Sequence, residues 1–269
     1  MESGAGSTLL TKNKLGEIPE TEQHYLEAVK AFARLTYESV YLIDYTDMSF
    51  EYVSENPLFL CGYSAEDVLR MGYEFYFRHV PSGDLELLTV INEKGFDFYA
   101  QLPVQERKRY SITYDFHLVN REGKEILINH RLTPLFLTKD GKLWKSMCIV
   151  SLSRHQTAGN VRIYKQGSEE VWELTVGGAV AGNPAAGSGT AGNLIARERK
   201  WVRSVKPVLS EREIEVLRLH AQGFSINQIA EKIFVAPDTV KYYRRRIFER
   251  LDVNNIMDAL SYAVNSKLM

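Results

Sequence analysis

The chain has 269 residues, 33 Lys plus Arg against 34 Asp plus Glu, and a net charge of −1, so it is not a polycation and any affinity for nucleic acid must be local. At 45% hydrophobic and 25% charged it reads as a soluble globular protein of one large or two modest domains. Two cysteines, Cys61 and Cys148, exclude a disulfide framework and point to a reducing compartment. The N-terminal stretch lacks an apolar run long enough for a signal peptide, and no run of about 18 apolar residues occurs anywhere. The expected location is cytoplasmic, with no membrane partner.

Residues 1–20 read as a loose flexible tail, and 21–38 as an N-terminal helix centred on about Glu22–Thr36. Tyr25, Ala28, Val29, Phe32 and Leu35 share one side of it, a face able to pack across its own domain or against a second copy of the chain. From Ser39 the pattern changes. Residues 40–45 and 50–53 are rich in aromatic and β-branched side chains, which suits strands with a turn at Asp47. Residues 56–78 predict short helical pieces, with Ser64 capping one at Ala65–Leu69. A longer helix starts near Ser82 and carries Leu85, Leu88 and Ile91. Strands return at 110–119, 125–135 and 143–152, separated by turn chemistry at Asn120–Gly123 and Thr138–Gly141. Two strands, short helices and a three-strand meander predict an α+β plan, with one antiparallel sheet and helices on a face.

That order, with V-S-E-N-P-L-F-L-C-G-Y-S-A-E-D-V-L, H-V-P-S-G-D and Y-D-F-H-L-V-N-R-E-G-K-E-I-L-I-N, resembles the PAS fold over residues 39–154. The resemblance implies a module that senses a small-molecule ligand, meets a protein partner, pairs subunits, or combines these; it names no cofactor. His79, His117 and His130 are candidate haem or metal ligands by type, but no pair has metal-ligand spacing, so they read as surface or core residues. Cys61 sits in L-F-L-C-G-Y, unlike the cysteine motif of light-sensing PAS domains, and reads as buried packing.

Residues 155–176 read as an extra hairpin, 161–164 against 171–174. Residues 177–207 read as a linker, Gly/Ala-rich and then basic: glycine and alanine fill eleven of the seventeen positions 177–193. The formal G-x-G-x-x-G at 187–192 lacks the strand, helix and βαβ frame that a dinucleotide site needs. A flexible chain of that length spans on the order of 20–25 Å. Leu194–Pro207, with Arg197, Arg199, Lys200, Arg203 and Lys206, reads as a basic approach to the C-terminal helices.

Residues 208–269 predict four short helices. Ser210 with Glu213 and Ser225 with Gln228 are capping boxes, Gly223 suits a left-handed stop, and Pro237 suits the first turn of a third helix. On that helix Val240, Tyr243, Ile247 and Leu251 fall on one face. Asp238, Lys241, Tyr242, Arg245 and Glu249 fall opposite, with Arg246 on the flank. Residues 237–250 hold five basic and two acidic side chains, a local surplus of three positive charges. A fourth helix runs from about Asn255, with Ile256, Ala259, Leu260 and Ala263 on one side. This is the plan of a helix-turn-helix unit.

Residues 209–259, with R-E-x-E-V-L, A-x-G-x-S, Q-I-A and T-V-K before I-F-x-x-L all in register, resemble the LuxR/GerE-type DNA-binding domain. The resemblance implies that the third helix enters the major groove. Thr239 and Lys241 would then meet phosphates, and Tyr242, Arg245 and Arg246 would face bases or nearby phosphates. The sequence departs from the pattern at Tyr243 for histidine, at Asp252 for glycine, at Ile226 for a polar residue and at Ala236 for a serine cap. The last costs about 1 kcal/mol unless Asp238 or Thr239 substitutes.

The expected function is a transcriptional regulator, with the PAS-like domain sensing or dimerising and the helix-turn-helix binding promoter DNA. The expected partners are double-stranded DNA, a second copy in a homodimer, and RNA polymerase. The alternative is a signalling protein whose C-terminal helices chiefly bind protein partners. No nucleophile–base pairing, phosphate loop or metal box suggests an enzyme.

Overall fold

The computed structural model describes residues 25–176, 179–180, 199–205, 209–251, 253–265 and 268. They fall into two compact units, divided between Ser204 and Val205.

The first unit opens with α1 (Tyr25–Leu35), β1 (Ser39–Asp44) and β2 (Ser49–Val53). Four helices follow: α2 (Pro57–Leu60), α3 (Ala65–Met71), α4 (Glu74–His79) and α5 (Ser82–Gln101). A 3-10 helix at Val104–Arg109 leads into β3 (Tyr110–Val119), β4 (Glu125–Leu137) and β5 (Leu143–Leu152). These strands form an antiparallel sheet in the order β2-β1-β5-β4-β3, the PAS-like plan expected from the sequence.

The period-2 alternation of β1 explains how both faces of this sheet are covered. Tyr41 and Ile43 point into the main core, with Phe59, Phe75, Leu88 and Ile91 of the helices and Cys148 and Val150 of β5. Val40 and Leu42 point the other way and pack with Val29 of α1, against Tyr52, Met147 and Ile149. The helix packs on its own sheet through Tyr25, Leu26, Val29 and Ala33, whereas Ala28, Phe32 and Leu35 of the expected face are exposed. A polar clasp fixes it: Tyr25 donates to Glu51 at 2.5 Å, while Lys145 reaches Glu51 at 2.9 Å, Tyr25 at 3.1 Å and Asp44 at 3.1 Å. Burial alone would pull the Lys145 pKa down, but its bonds to Glu51, Tyr25 and Asp44 outweigh that and raise it.

Local signals behave as the residues dictate. Ser64 caps α3 in a capping box with Asp67. Gly123 and Gly141 take positive φ in the two meander turns, where Gly123 donates to the Asn120 carbonyl and Gly141 to that of Thr138. The 3-10 helix at 104–109 is an element that the periodicity of V-Q-E-R-K-R did not announce. Pro103 blocks continuation of α5, and Arg107 ties the new turn down by donating to the carbonyls of Leu102 and Gly141.

The sheet continues past β3. Strands β6 (Gly159–Lys165) and β7 (Glu170–Val176) form the expected hairpin, and β6 pairs with β3. Two further strands, β8 (Ala179–Val180) and β9 (Arg199–Val205), both pair with β7. Most of the expected Gly/Ala-rich stretch, 181–198, lies outside the described residues. Residues 199–205, read from their charges as part of a basic approach, are instead a strand of this sheet. Trp201 is the reason: its indole donates to the Lys94 carbonyl of α5 at 3.1 Å and its ring packs against Phe98.

The second unit consists of α6 (Glu211–Ala221), α7 (Ile226–Lys232), α8 (Pro237–Leu251) and α9 (Ile256–Asn265). Both capping boxes form, Ser210 with Glu213 and Ser225 with Gln228. Gly223 has φ +86° just past α6, and Asn255 accepts from the Asp258 amide at the start of α9. The core joins Val216 and Leu217 of α6, Ile229 and Ala230 of α7, Val240, Ile247 and Leu251 of α8, and Ala259 and Ala263 of α9. The expected turn change at Asp252 lies outside the described residues.

Candidate nucleic-acid interface

Helix α8 has a buried back and a solvated front. Val240 and Ile247 are fully buried, and Tyr243 is half-buried against the same core, so its replacement of histidine is a packing change. On the front, Asp238, Lys241, Tyr242 and Arg245 are exposed, while Thr239 and Arg246 are half-exposed. These positions recur every three to four residues, so one helical face gathers all five expected contact residues.

The side chains divide the helix's positive charge between two tasks. Arg250, at the solvent edge of the helix, meets Glu213 at 2.8 Å, whose carboxylate is 3% exposed. That same carboxylate accepts from the Ser210 amide at 2.7 Å and hydroxyl at 2.9 Å, so one glutamate both caps α6 and ties α8 to it. Arg244 is half-buried, lies over the Phe248 ring at 5.7 Å, and lowers the pKa of neighbouring His220 after the larger effect of burial. Lys241, Arg245 and Arg246 remain as the outward cations. Lys241 also pairs with Asp238 at 2.9 Å, an exposed contact that a phosphate can replace at little cost. A count of charges along the sequence could not separate the two groups, because a helical arginine next to an inward position can turn either way.

No side-chain cap for α8 replaces the missing serine at Ala236 among the described hydrogen bonds: Asp238 is engaged with Lys241, and the Thr239 amide bonds to the Ala236 carbonyl at 2.9 Å. Ile226, at a position expected to be polar, packs against the domain core instead.

The first unit holds a second cluster of polar groups. Tyr41 is fully buried, bonds to Tyr76, and lies 2.6 Å from His130 Nε2. Burial, then the nearby Arg131 charge, lowers the His130 pKa to about 3, so the ring is neutral, and its tautomer decides whether Nε2 donates to or accepts from the phenol. Its other nitrogen, Nδ1, is buried without a partner in the described structure. Burial also pushes Tyr76 and Tyr114 well above the phenol range. The other candidate histidines are structural: His79 Nδ1 lies 2.8 Å from the Val119 carbonyl, and His117 pairs with Asp84 at 2.8 Å. No group of three metal-ligating side chains occurs among the described residues. Cys61 is buried and its thiol is pushed up to about 12 by burial, which makes it inert packing.

Residues 207–263 match the family described as bacterial regulatory proteins, luxR family. Over 78 residues the chain is 41% identical to a probable transcriptional regulatory protein NarL of Mycobacterium tuberculosis, covering 29% of this chain and 36% of that one. It is 39% identical over 62 residues to the oxygen regulatory protein NreC of Staphylococcus haemolyticus, covering 23% and 29%. The chain thus spans about a third of the length of the curated relatives it matches. Among solved structures, it is similar to the VqmA–ligand–DNA complex of Vibrio cholera at 16% identity and a TM-score of 0.31, over 92% of this chain and 89% of that one. A PAS domain from Colwellia psychrerythraea matches at 14% identity and a TM-score of 0.35, over 49% and 98%. These two likenesses are too weak in TM-score to bear on function. The capping boxes, the buried back of α8 and the sequence match agree: the C-terminal unit of this chain carries a LuxR-type helix-turn-helix domain over residues 207–263.

Proposed function

We propose that this protein is a cytoplasmic, homodimeric transcriptional regulator whose α8 reads promoter DNA and whose PAS-like unit receives the controlling signal. The observation that carries the reading is the division of labour on α8. Its apolar face is committed to the fold and Arg250 is tied to Glu213, while Lys241, Tyr242 and Arg245 are exposed and Arg246 half-exposed on the other side, held there by no described contact beyond the Lys241–Asp238 pair and the Tyr242–Tyr243 ring contact. Thr239 and Lys241 would position the helix through phosphates. Tyr242, Arg245 and Arg246 would meet base edges or adjacent phosphates. One recognition helix reads only a few base pairs, so specific binding requires two copies on neighbouring half-sites. RNA polymerase is the partner through which the bound regulator would act.

The signal is assigned to the PAS-like core. Its neutral His130, with one nitrogen unpartnered in the interior beside Tyr41 and Tyr76, suits a small uncharged ligand with hydrogen-bonding groups.

The test is a titration of duplex against purified protein, using fragments selected from random sequence and scrambled controls. Arg245→Ala should lower affinity for the selected duplex by roughly fivefold or more, and narrow its advantage over scrambled DNA. Lys241→Ala should weaken both duplexes by similar factors. Unchanged affinity in both variants would defeat the assignment. Salt-insensitive capture of a protein partner, with no duplex binding, would move the reading to an interaction module.

A further inference from the structure

The first unit ends in an unusual strand. Only residues 206–208 separate the end of β9 from Leu209, the first core residue of the second unit. The DNA-binding unit's chain is thus rooted three residues beyond β9.

Trp201 is the main apolar anchor of β9. Its indole N–H donates to the Lys94 carbonyl and its ring lies 5.6 Å from Phe98, which also meets Trp172 at 5.4 Å. β9 also pairs with β7 through its backbone, and its other described side-chain ties lie at the strand's edges. Ser204 donates to the Val171 carbonyl at 3.4 Å, Thr175 to the Lys200 carbonyl at 3.2 Å, and Arg203 forms a solvent-exposed pair with Glu170. Val202 is 46% exposed. Arg199 opposes docking, because its Nε and Nη1 are buried without partners in the described structure. Beyond its backbone pairing with β7, β9 therefore has one large apolar side-chain anchor, Trp201, and one buried guanidinium that works against it.

Helix α5, on which Trp201 sits, is also a wall of the PAS-like core. Leu88, Ile91 and Tyr99 are buried on its inner side, and Tyr99 donates to the Tyr110 carbonyl at 3.0 Å. Lys94 and Phe98 hold Trp201 from the same two turns of helix. A shift of α5 that reshapes the core must therefore change the seat of the indole.

We infer that Trp201 is a coupling residue: through it the packing state of the PAS-like core sets whether β9 is docked, and so how the DNA-binding unit is tethered. The inference rests on the regulator reading above. It assigns regulation to a contiguous path of core, α5, Trp201 and β9.

The experiment is a double-mutant cycle in the full chain, read as affinity for the duplex selected by the wild-type protein. Tyr99→Phe removes the core-side bond of α5 and should change affinity at least threefold. In a Trp201→Ala background, the same substitution should leave affinity unchanged within error. Trp201→Phe, which keeps the ring contact, should restore part of the coupling. Hydrogen exchange provides a second readout: Trp201→Ala should speed exchange of the 199–205 amides at least tenfold and leave β4 and β5 protected. Equal fold-changes for Tyr99→Phe in both backgrounds, or none in either, overturn the coupling and leave the regulator reading intact. A wild-type chain that selects no duplex at all overturns both.

Discussion

The Glu213–Arg250 pair offers a sharp test of how the second unit is built. Glu213 is 3% exposed and Arg250 is 34% exposed on its side chain. Truncating one partner of a fully buried pair costs about 3–5 kcal/mol, because the other charge is stranded. In Arg250→Ala the stranded group is the carboxylate, which keeps two donors from Ser210. The loss should therefore fall to about 2–3 kcal/mol. In Glu213→Gln the guanidinium keeps its path to water, so the loss should be about 1 kcal/mol. The assay exploits where the tryptophans lie: Trp144, Trp172 and Trp201 all belong to the first unit. Urea unfolding followed by helical circular dichroism should show an earlier second-unit transition in Arg250→Ala, while tryptophan fluorescence should report an unmoved first-unit transition. A loss below about 0.5 kcal/mol, or Glu213→Gln costing more than Arg250→Ala, would refute the reasoning.

Two other perturbations read out the first unit. His130 has an ordinary pKa of 6.5 and is held at about 3 when folded. Below pH 6.5 the unfolded chain takes up a proton that the folded chain refuses, so this contribution is fully present above 6.5 and is lost as pH falls toward 3. The slope reaches about 1.4 kcal/mol per pH unit. Fluorescence-monitored unfolding at pH 7.5 and 5 should show that loss in the wild type and a smaller one in His130→Gln; equal losses would remove His130 from the account. Gly72 has φ +53° and ψ −136°, and a Cβ there would lie 3.2 Å from the Met48 carbonyl oxygen, so Gly72→Ala should destabilise by about 1–3 kcal/mol. Gly95 sits inside α5 with an ordinary 3.7 Å to Ile112, so Gly95→Ala should stabilise by about 0.5–1 kcal/mol, and thermal melts of the two variants should move in opposite directions.

Much of the architecture was written in local signals. Helix caps at Ser64, Ser210 and Ser225 and turn glycines at 123 and 141 act within a few residues, so the sequence displays them directly. The five front residues of α8 were legible because helical phase is rigid once Val240 and Ile247 are recognised as core. What the sequence concealed depends on distant partners. Arg250 is tied to the fold because the buried Glu213, 37 positions away, accepts from it. Residues 199–205 form a strand because Trp201 finds a seat on α5 more than a hundred positions earlier, whereas composition alone showed only their charges. The buried state of His130 depends on Tyr41, 89 positions away, and no spacing rule points to it.

The central claim is that α8 meets a duplex through its outward cations. The most direct measurement is the dependence of duplex affinity on salt for the full chain and for the Lys241→Ala, Arg245→Ala, Arg246→Ala triple variant. Lys241 on a phosphate predicts a log–log slope of about −0.9 per protomer in the wild type, rising to about −2.7 where Arg245 and Arg246 also meet phosphates, and a markedly flatter line in the triple variant. A wild-type affinity that barely responds to salt, or a triple variant with an unchanged slope, would contradict the account.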